Sequence, residues 1–174
     1  NHCRISSNVI KNCSWYGVWV YGSENNFIDS NIIEINHLGI YIFPSGDIYP
    51  SENNIAYGNT FQNNSKAAIE IALCSHNSIL ENSFVQNTVG LKLYRTYNNS
   101  IAANVLQNNE NGISLTNSNN NTIYQNNFIN NTNQIIFVDD YEGSLNNTWD
   151  NGYPSGGNYW SDYSGTDFYS GPYQ

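Results

Sequence analysis

Glu70 and Lys92 stand one repeat apart in a chain with few charges, 14 acidic and 5 basic side chains among 174 residues. A carboxylate beside an ammonium, with Arg95 close by, is the kind of pairing that acid–base chemistry uses. On repeat logic the two are central residues of equivalent strands on successive coils, so both point outward and lie side by side. A lone pair of this kind is more often a surface ion pair, worth well under about 1 kcal/mol. Catalytic residues are therefore read as none, with Glu70, Lys92 and Arg95 the only candidates.

A second set is aromatic. One outward position reads Trp19, Tyr41, Glu70, Lys92, Ser114, Ile136, and two residues later the repeats read Tyr21, Phe43, Ala72, Tyr94, Thr116, Val138. Trp19, Tyr21, Tyr41, Phe43 and Tyr94 are thereby the candidate carbohydrate-binding residues. Exposed rings of this extent mark an interaction site, and flat rings beside hydrogen-bonding groups suit a sugar. The competing expectation is that a loop or a longer chain covers them.

Metal ligands are read as none. His2 and His76 share a repeat position three coils apart, about 14 Å at the strand spacing of a sheet. One ion with ligands near 2 Å does not span that distance. Met is absent, which removes the soft thioether ligand, and calcium has no clear motif, so no cofactor is expected. His2, His37 and His76 read as turn residues. Cys3, Cys13 and Cys74 are odd in number, and Cys74 is coils away from the others, beyond the roughly 7 Å Cα limit of a disulfide. Free, mostly buried thiols are expected.

What positions these residues is a repeat. Asn77-Ser-Ile-Leu-Glu-Asn82-Ser-Phe is followed by Asn99-Ser-Ile-Ala-Ala-Asn104-Val-Leu and Asn121-Thr-Ile-Tyr-Gln-Asn126-Asn-Phe, each step being 22 residues. Earlier copies complete one column of Asn8, Asn31, Asn59, Asn82, Asn104 and Asn126. Five residues later a second column reads Cys13, Asn36, Asn64, Asn87, Asn109 and Asn131. Apolar runs of three to five residues alternate between them, which means short strands with one face inward, separated by tight turns. Such a unit buries no core alone; stacked units do. Asn accepts the left-handed conformation at a corner, and in register its amide bonds the Asn above and below.

The reading is all-β: a right-handed parallel β-helix solenoid of about six coils of 22–23 residues, with inner Asn ladders, over residues 1–138. Residues 139–174 are read as an irregular, aromatic-rich cap of the same domain, which lies across the last coil without extending the ladder. Between Ile42 and Asn54 there are eleven residues where other coils have five, so a loop must protrude, and insertions in repeat proteins often mark a binding face. Asn119, outside both columns, is expected in an exposed turn. Six Asn-x-Ser/Thr sequons occur, and those at Asn98, Asn120 and Asn146 share one turn column.

The net charge of −9 excludes nucleic acid, which wants a basic face. No run of about 18 apolar residues exists to span a membrane.

The Asn-x-Ile-x-x-Asn-x-Phe repeats resemble those of the NosD-type family within the pectin-lyase-like superfamily. Trp149-Asp-Asn-Gly-Tyr-Pro-Ser-Gly-Gly-Asn-Tyr-Trp160-Ser-Asp-Tyr is similar to the ending of archaeal cell-surface β-helix proteins of that group. The resemblance implies a cell-surface or extracellular location, periplasmic as the alternative, a partner that is carbohydrate or cell-envelope polymer, and a place in a longer polypeptide. It leaves three functions open. The first is a non-catalytic module, carbohydrate-binding or architectural. The second is a polysaccharide lyase or hydrolase fragment, although the Gly-His-Gly, Arg-Ile-Lys and Tyr-Gly-x-Asp-Pro-His motifs of such sites are absent. The third is an accessory in copper maturation.

Overall fold

The computed structural model describes residues 2–46, 48–138, 143–152 and 154–165. The chain is a parallel β-solenoid with three sheets running along it. The first coil sets the pattern: β1 (Arg4–Ser6), β2 (Val9–Lys11) and the longer β3 (Tyr16–Tyr21). Each later strand pairs in parallel with its counterpart one coil away, as in Trp19↔Tyr41, Tyr41↔Glu70, Glu70↔Lys92 and Lys92↔Ser114. Among the described residues no helix is long and apolar enough to cross a membrane.

The corners follow from two residues acting together. A residue with positive φ turns the chain, and the next residue is the ladder Asn: Glu81 at 54°, Ala103 at 56° and Gln125 at 54° precede Asn82, Asn104 and Asn126. Left-handed Ala and Glu are costly, so the ladder must hold them there. In this column each backbone N–H donates to the Oδ1 of the next Asn at 2.9–3.0 Å, from Asn8 to Asn31 and on through Asn126. Each Nδ2 also donates back to a strand carbonyl; Asn104 Nδ2 reaches Ile79 O at 2.8 Å and Asn126 Oδ1 at 2.9 Å.

Among the described residues there are three Asn ladders, where the repeat called for at least two and named two columns. The third runs Asn26, Asn54, Asn77, Asn99, Asn121, Asn147. The fourth corner uses smaller groups: Ser23, Thr96 and Ser118 donate their N–H to the hydroxyls of Ser51, Ser118 and Ser144. Cys74 stands in this column, and the Ser51 backbone bonds its thiol. Burial pushes that thiol up to about 12. Cys3 and Cys13 head two Asn ladders, giving their N–H to Asn26 and Asn36. Cys3 is exposed, against the expectation of mostly buried thiols, because only its N–H is needed in the rung.

The core is a set of stacked columns, with Phe61 on Phe84 at 5.1 Å between ring centres. Where the long strand begins, the chain comes too close to its neighbour for a side chain. A Cβ on Gly39 would strike the Ala68 carbonyl, and one on Gly112 the Gln134 carbonyl. That close approach explains the Gly before four of the six apolar-x-apolar pairs, Gly17, Gly39, Gly90 and Gly112.

The C-terminal segment both caps and continues the solenoid. Trp160 stacks on Phe128 at 4.4 Å, closing the phenylalanine column as a lid should. Against expectation it also extends the ladder: Asn158 Oδ1 accepts from Asn126 at 3.0 Å, and Tyr159–Trp160 adds a short strand beside Asn127–Ile129. An Asn followed by two aromatics satisfies the same corner as any rung. The cap aromatics Tyr153, Phe168, Tyr169 and Tyr173 lie outside the described residues. Asn119 is also not a free turn residue, since its Oδ1 accepts the Leu145 N–H at 2.5 Å.

Two predictions follow from these contacts. Asn104→Leu strands the Ile79 carbonyl and the Asn82 amides, at about 1–3 kcal/mol for each buried group left unpaired. Asn127→Leu, on an exposed outward position, stays within about 0.5 kcal/mol. Urea melting compares them, and coincident curves would refute the ladder as the source of stability. The second concerns Asp29, buried against Arg4 through two bonds of 2.8 Å. The Arg4 guanidinium lowers its carboxyl from 3.8 to about 2, with a smaller contribution from Ser6. A depressed native pKa stabilises above the unfolded value and is lost as pH falls through the folded one. Asp29→Asn therefore flattens the wild-type loss of stability between about pH 4 and pH 2, measured by thermal melts across that range.

Candidate functional site

The outward face of the long-strand sheet changes character from coil to coil. β3 and β6 (Leu38–Phe43) alternate inward aliphatics with outward rings. Val18, Val20, Ile40 and Ile42 fill the core, so Trp19, Tyr21, Tyr41 and Phe43 must point away from it. Their rings form one contiguous cluster: Trp19–Tyr21 at 4.7 Å, Tyr41–Phe43 at 5.4 Å and Tyr21–Phe43 at 6.4 Å. Four of the five expected carbohydrate-binding residues are thus brought together.

The fifth is not. Ala72 lies beside Tyr94 in the sheet and leaves a gap in the ring column. Tyr94 carries Lys92 Nζ at 6.0 Å and the Arg95 guanidinium at 5.4 Å over its ring instead.

Tyr16 and Trp15 belong to the cluster and were missed by the column argument. Tyr16 stacks on Tyr41 at 5.0 Å and touches Trp19 at 5.5 Å, and Trp15 packs edgewise on Tyr16 at 6.3 Å. The strand alternation breaks at Gly17, whose missing side chain would point at Ile10 and Asn36, so Tyr16 also faces out. The Trp-Tyr-Gly string was the available signal.

Glu70 is corrected. It is 5% exposed, not a surface residue, and it is bracketed by two lysines rather than one. Lys92 Nζ lies 3.4 Å from Oε1 and Lys66 Nζ 2.7 Å from Oε2. The second approach makes an ion pair, although it is off the direction a hydrogen bond requires. Lys66 enters from the corner before Ala67–Ala72, a placement that only the coil geometry reveals. Tyr41, the register neighbour of Glu70, is pushed up to about 12, first by burial and then by the Glu70 charge. A general base needs an accessible lone pair. Both oxygens of Glu70 face ammonium groups, and the carboxylate is buried.

The copper donors do not converge. Among the described residues no group of three His, Cys, Asp or Glu is placed to hold a metal ion. His2 and His76 both sit at positive-φ corners, at 65° and 56°, three coils apart in one column. His37 contacts Ser65 at 3.3 Å, and His76 lies 3.6 Å from Glu52. These are turn positions, and the residues present do not fit a copper site.

The inserted segment stands next to the aromatic cluster. Ser45 and Tyr49 form an antiparallel bridge, and Ser51 anchors the return by donating to the Phe43 carbonyl at 2.8 Å. Tyr49 remains exposed. The ladder distances are unchanged across the insertion, so the extra residues are carried wholly outside the coil.

Comparison with curated proteins returns no match. Among solved structures the chain is similar to the crystal structure of the periplasmic alginate epimerase AlgG, with a TM-score of 0.62 and 18% identity over 83% of this chain. A double mutant of that enzyme gives a TM-score of 0.62 and 20% identity over 79% of this chain. The chain spans 38% of the length of either, and identity at that level shows a shared β-solenoid fold alone. Residues 1–165 match the family described as "Periplasmic copper-binding protein (NosD)". On a match of that extent the chain belongs to the NosD family.

Proposed function

We propose that this chain is an extracytoplasmic β-helix module that binds carbohydrate without cleaving it. The observation that carries the reading is the contiguous ring face of Tyr16, Trp19, Tyr21, Tyr41 and Phe43, which stays open to solvent at Trp19 and Tyr21. Flat rings with phenolic tips present an apolar body and a polar edge, the complement of a pyranose. An exposed apolar patch on a rigid sheet is a binding site by default. The periplasmic names of the family and of the solved epimerase support a place outside the cytoplasm. The resemblance of the ending to archaeal cell-surface proteins favours the cell envelope.

The lyase or epimerase reading has the solved enzyme's fold in its favour, and against it the burial of Glu70 between Lys66 and Lys92. The copper reading has the family description in its favour and, among the described residues, no converging donor set.

The test is affinity electrophoresis of the folded chain through gels containing a panel of polysaccharides. At least one is expected to retard the wild type. Trp19→Ala and Tyr21→Ala weaken that retention about tenfold, near 1.4 kcal/mol, with unchanged melting temperatures. Unretarded migration through every gel would refute carbohydrate binding. New ultraviolet absorbance or reducing ends in the same polymers would replace it with catalysis.

A further inference from the structure

Resting on that reading, we infer that the ligand is an uncharged saccharide, and that it lies across the solenoid axis along the first coil, with Trp15 as an additional platform. The exposed rings define the direction. Trp15 is 71% exposed, Trp19 54% and Tyr21 46%, whereas Tyr16, Tyr41 and Phe43 are half-buried behind them. The line Trp15–Tyr16–Trp19–Tyr21 follows the strand through ring-centre steps of 6.3, 5.5 and 4.7 Å. It is prolonged by the insertion: Tyr49 stands beside Gly22, the residue after the strand, and is 62% exposed. The second-coil rings pack against this line, and toward the later coils the ring face stops, because the next outward residue is the buried Glu70.

Charge decides the class of sugar. β3 and β6 read Tyr-Gly-Val-Trp-Val-Tyr and Leu-Gly-Ile-Tyr-Ile-Phe, with no ionisable acid or base apart from phenols. The cations are engaged elsewhere: Arg4 with Asp29, Lys11 with Glu34, Lys66 and Lys92 with Glu70, and Arg95 over Tyr94. Lys92 is three coils from Trp19, about 14 Å at the sheet spacing. A carboxylate on a sugar stacked at Trp19 would meet no cation and would approach a protein of net charge −9. A neutral sugar needs neither; its C–H face covers the rings, and its hydroxyls meet the tyrosine hydroxyls.

Gels containing neutral polysaccharides (a glucan, a mannan, a galactan) are compared with gels containing alginate or polygalacturonate, at low and high salt. Retention by a neutral polymer, insensitive to salt, is expected. Trp15→Ala weakens it about tenfold with an unchanged melting temperature, and Lys92→Gln, which lowers the melting temperature by unpairing Glu70, leaves the retention of the folded protein intact. Retention only by the uronate polymers, fading with salt or in Lys92→Gln, would overturn the inference and leave carbohydrate binding standing. Wild-type retention in Trp15→Ala would overturn the proposed line. Light scattering on the free protein covers the remaining occupant: a dimer dispersed by Trp19→Ala assigns the rings to a second copy and overturns both. Absence of retention in every gel removes the carbohydrate reading, and this inference with it.

Discussion

The structure depends on one amide. A ladder Asn such as Asn104 accepts both the N–H and the Nδ2 of Asn82, and donates its own Nδ2 to Ile79 O and Asn126 Oδ1. All four hydrogen-bonding sites of the side chain are used. The side chain does two jobs at a corner where the chain leaves the sheet: it receives a backbone N–H that has no strand partner, and it ties down a carbonyl from the coil before. A buried N–H with no acceptor costs as much as a lost hydrogen bond, and every coil has several corners. The polar core is tolerated because every member is satisfied, the condition under which buried networks specify a fold.

That arrangement accounts for the tolerance at neighbouring positions. Because the ladder and the sheets fix the path, the residue before each rung as far as Asn147 can be His, Ser, Asn, Gly, Glu, Ala, Gln or Ile while sharing nearly the same positive φ. The outward strand positions are freer still. The register aligns Trp19, Tyr41, Glu70, Lys92, Ser114 and Ile136 in one column, although these side chains have nothing in common chemically. Inner columns carry stability and outer columns carry chemistry, so one surface can change from aromatic to ionic within two coils.

The inner half was therefore legible in the sequence and the outer half only partly. A period of 22–23 residues with Asn at its corners leaves few alternatives to a parallel solenoid, and strand register then follows from the columns. The third ladder was in the repeat as Asn77, Asn99 and Asn121 and needed only to be followed outward. What stayed hidden depends on side chains that cross between coils or around a corner. Lys66 is four residues from Glu70 in the chain, about 13 Å along an extended strand, yet the corner folds it back onto the carboxylate. Tyr16 faces outward because Gly17 breaks the alternation, and no period-two count anticipates that. Asn158 was obscured by composition: glycine and aromatics around it suggest irregular chain, while the rung itself asks only for one amide in the right place.

The burial of Glu70 bears on what the outer face can bind. A carboxylate withdrawn from water is held by partners of opposite charge, and removing either partner is costly. Lys66 and Lys92 are therefore committed to the scaffold, which limits their use toward an anionic ligand. Tyr41 lies between this network and the rings, its phenol raised by burial and by the Glu70 charge, and so remains a neutral hydroxyl at any physiological pH. The face toward the first coil thus offers rings and neutral hydroxyls, while the charged groups of the third and fourth coils satisfy one another. For the proposed saccharide ligand, a surface organised in this way favours shape and hydrogen bonding over charge.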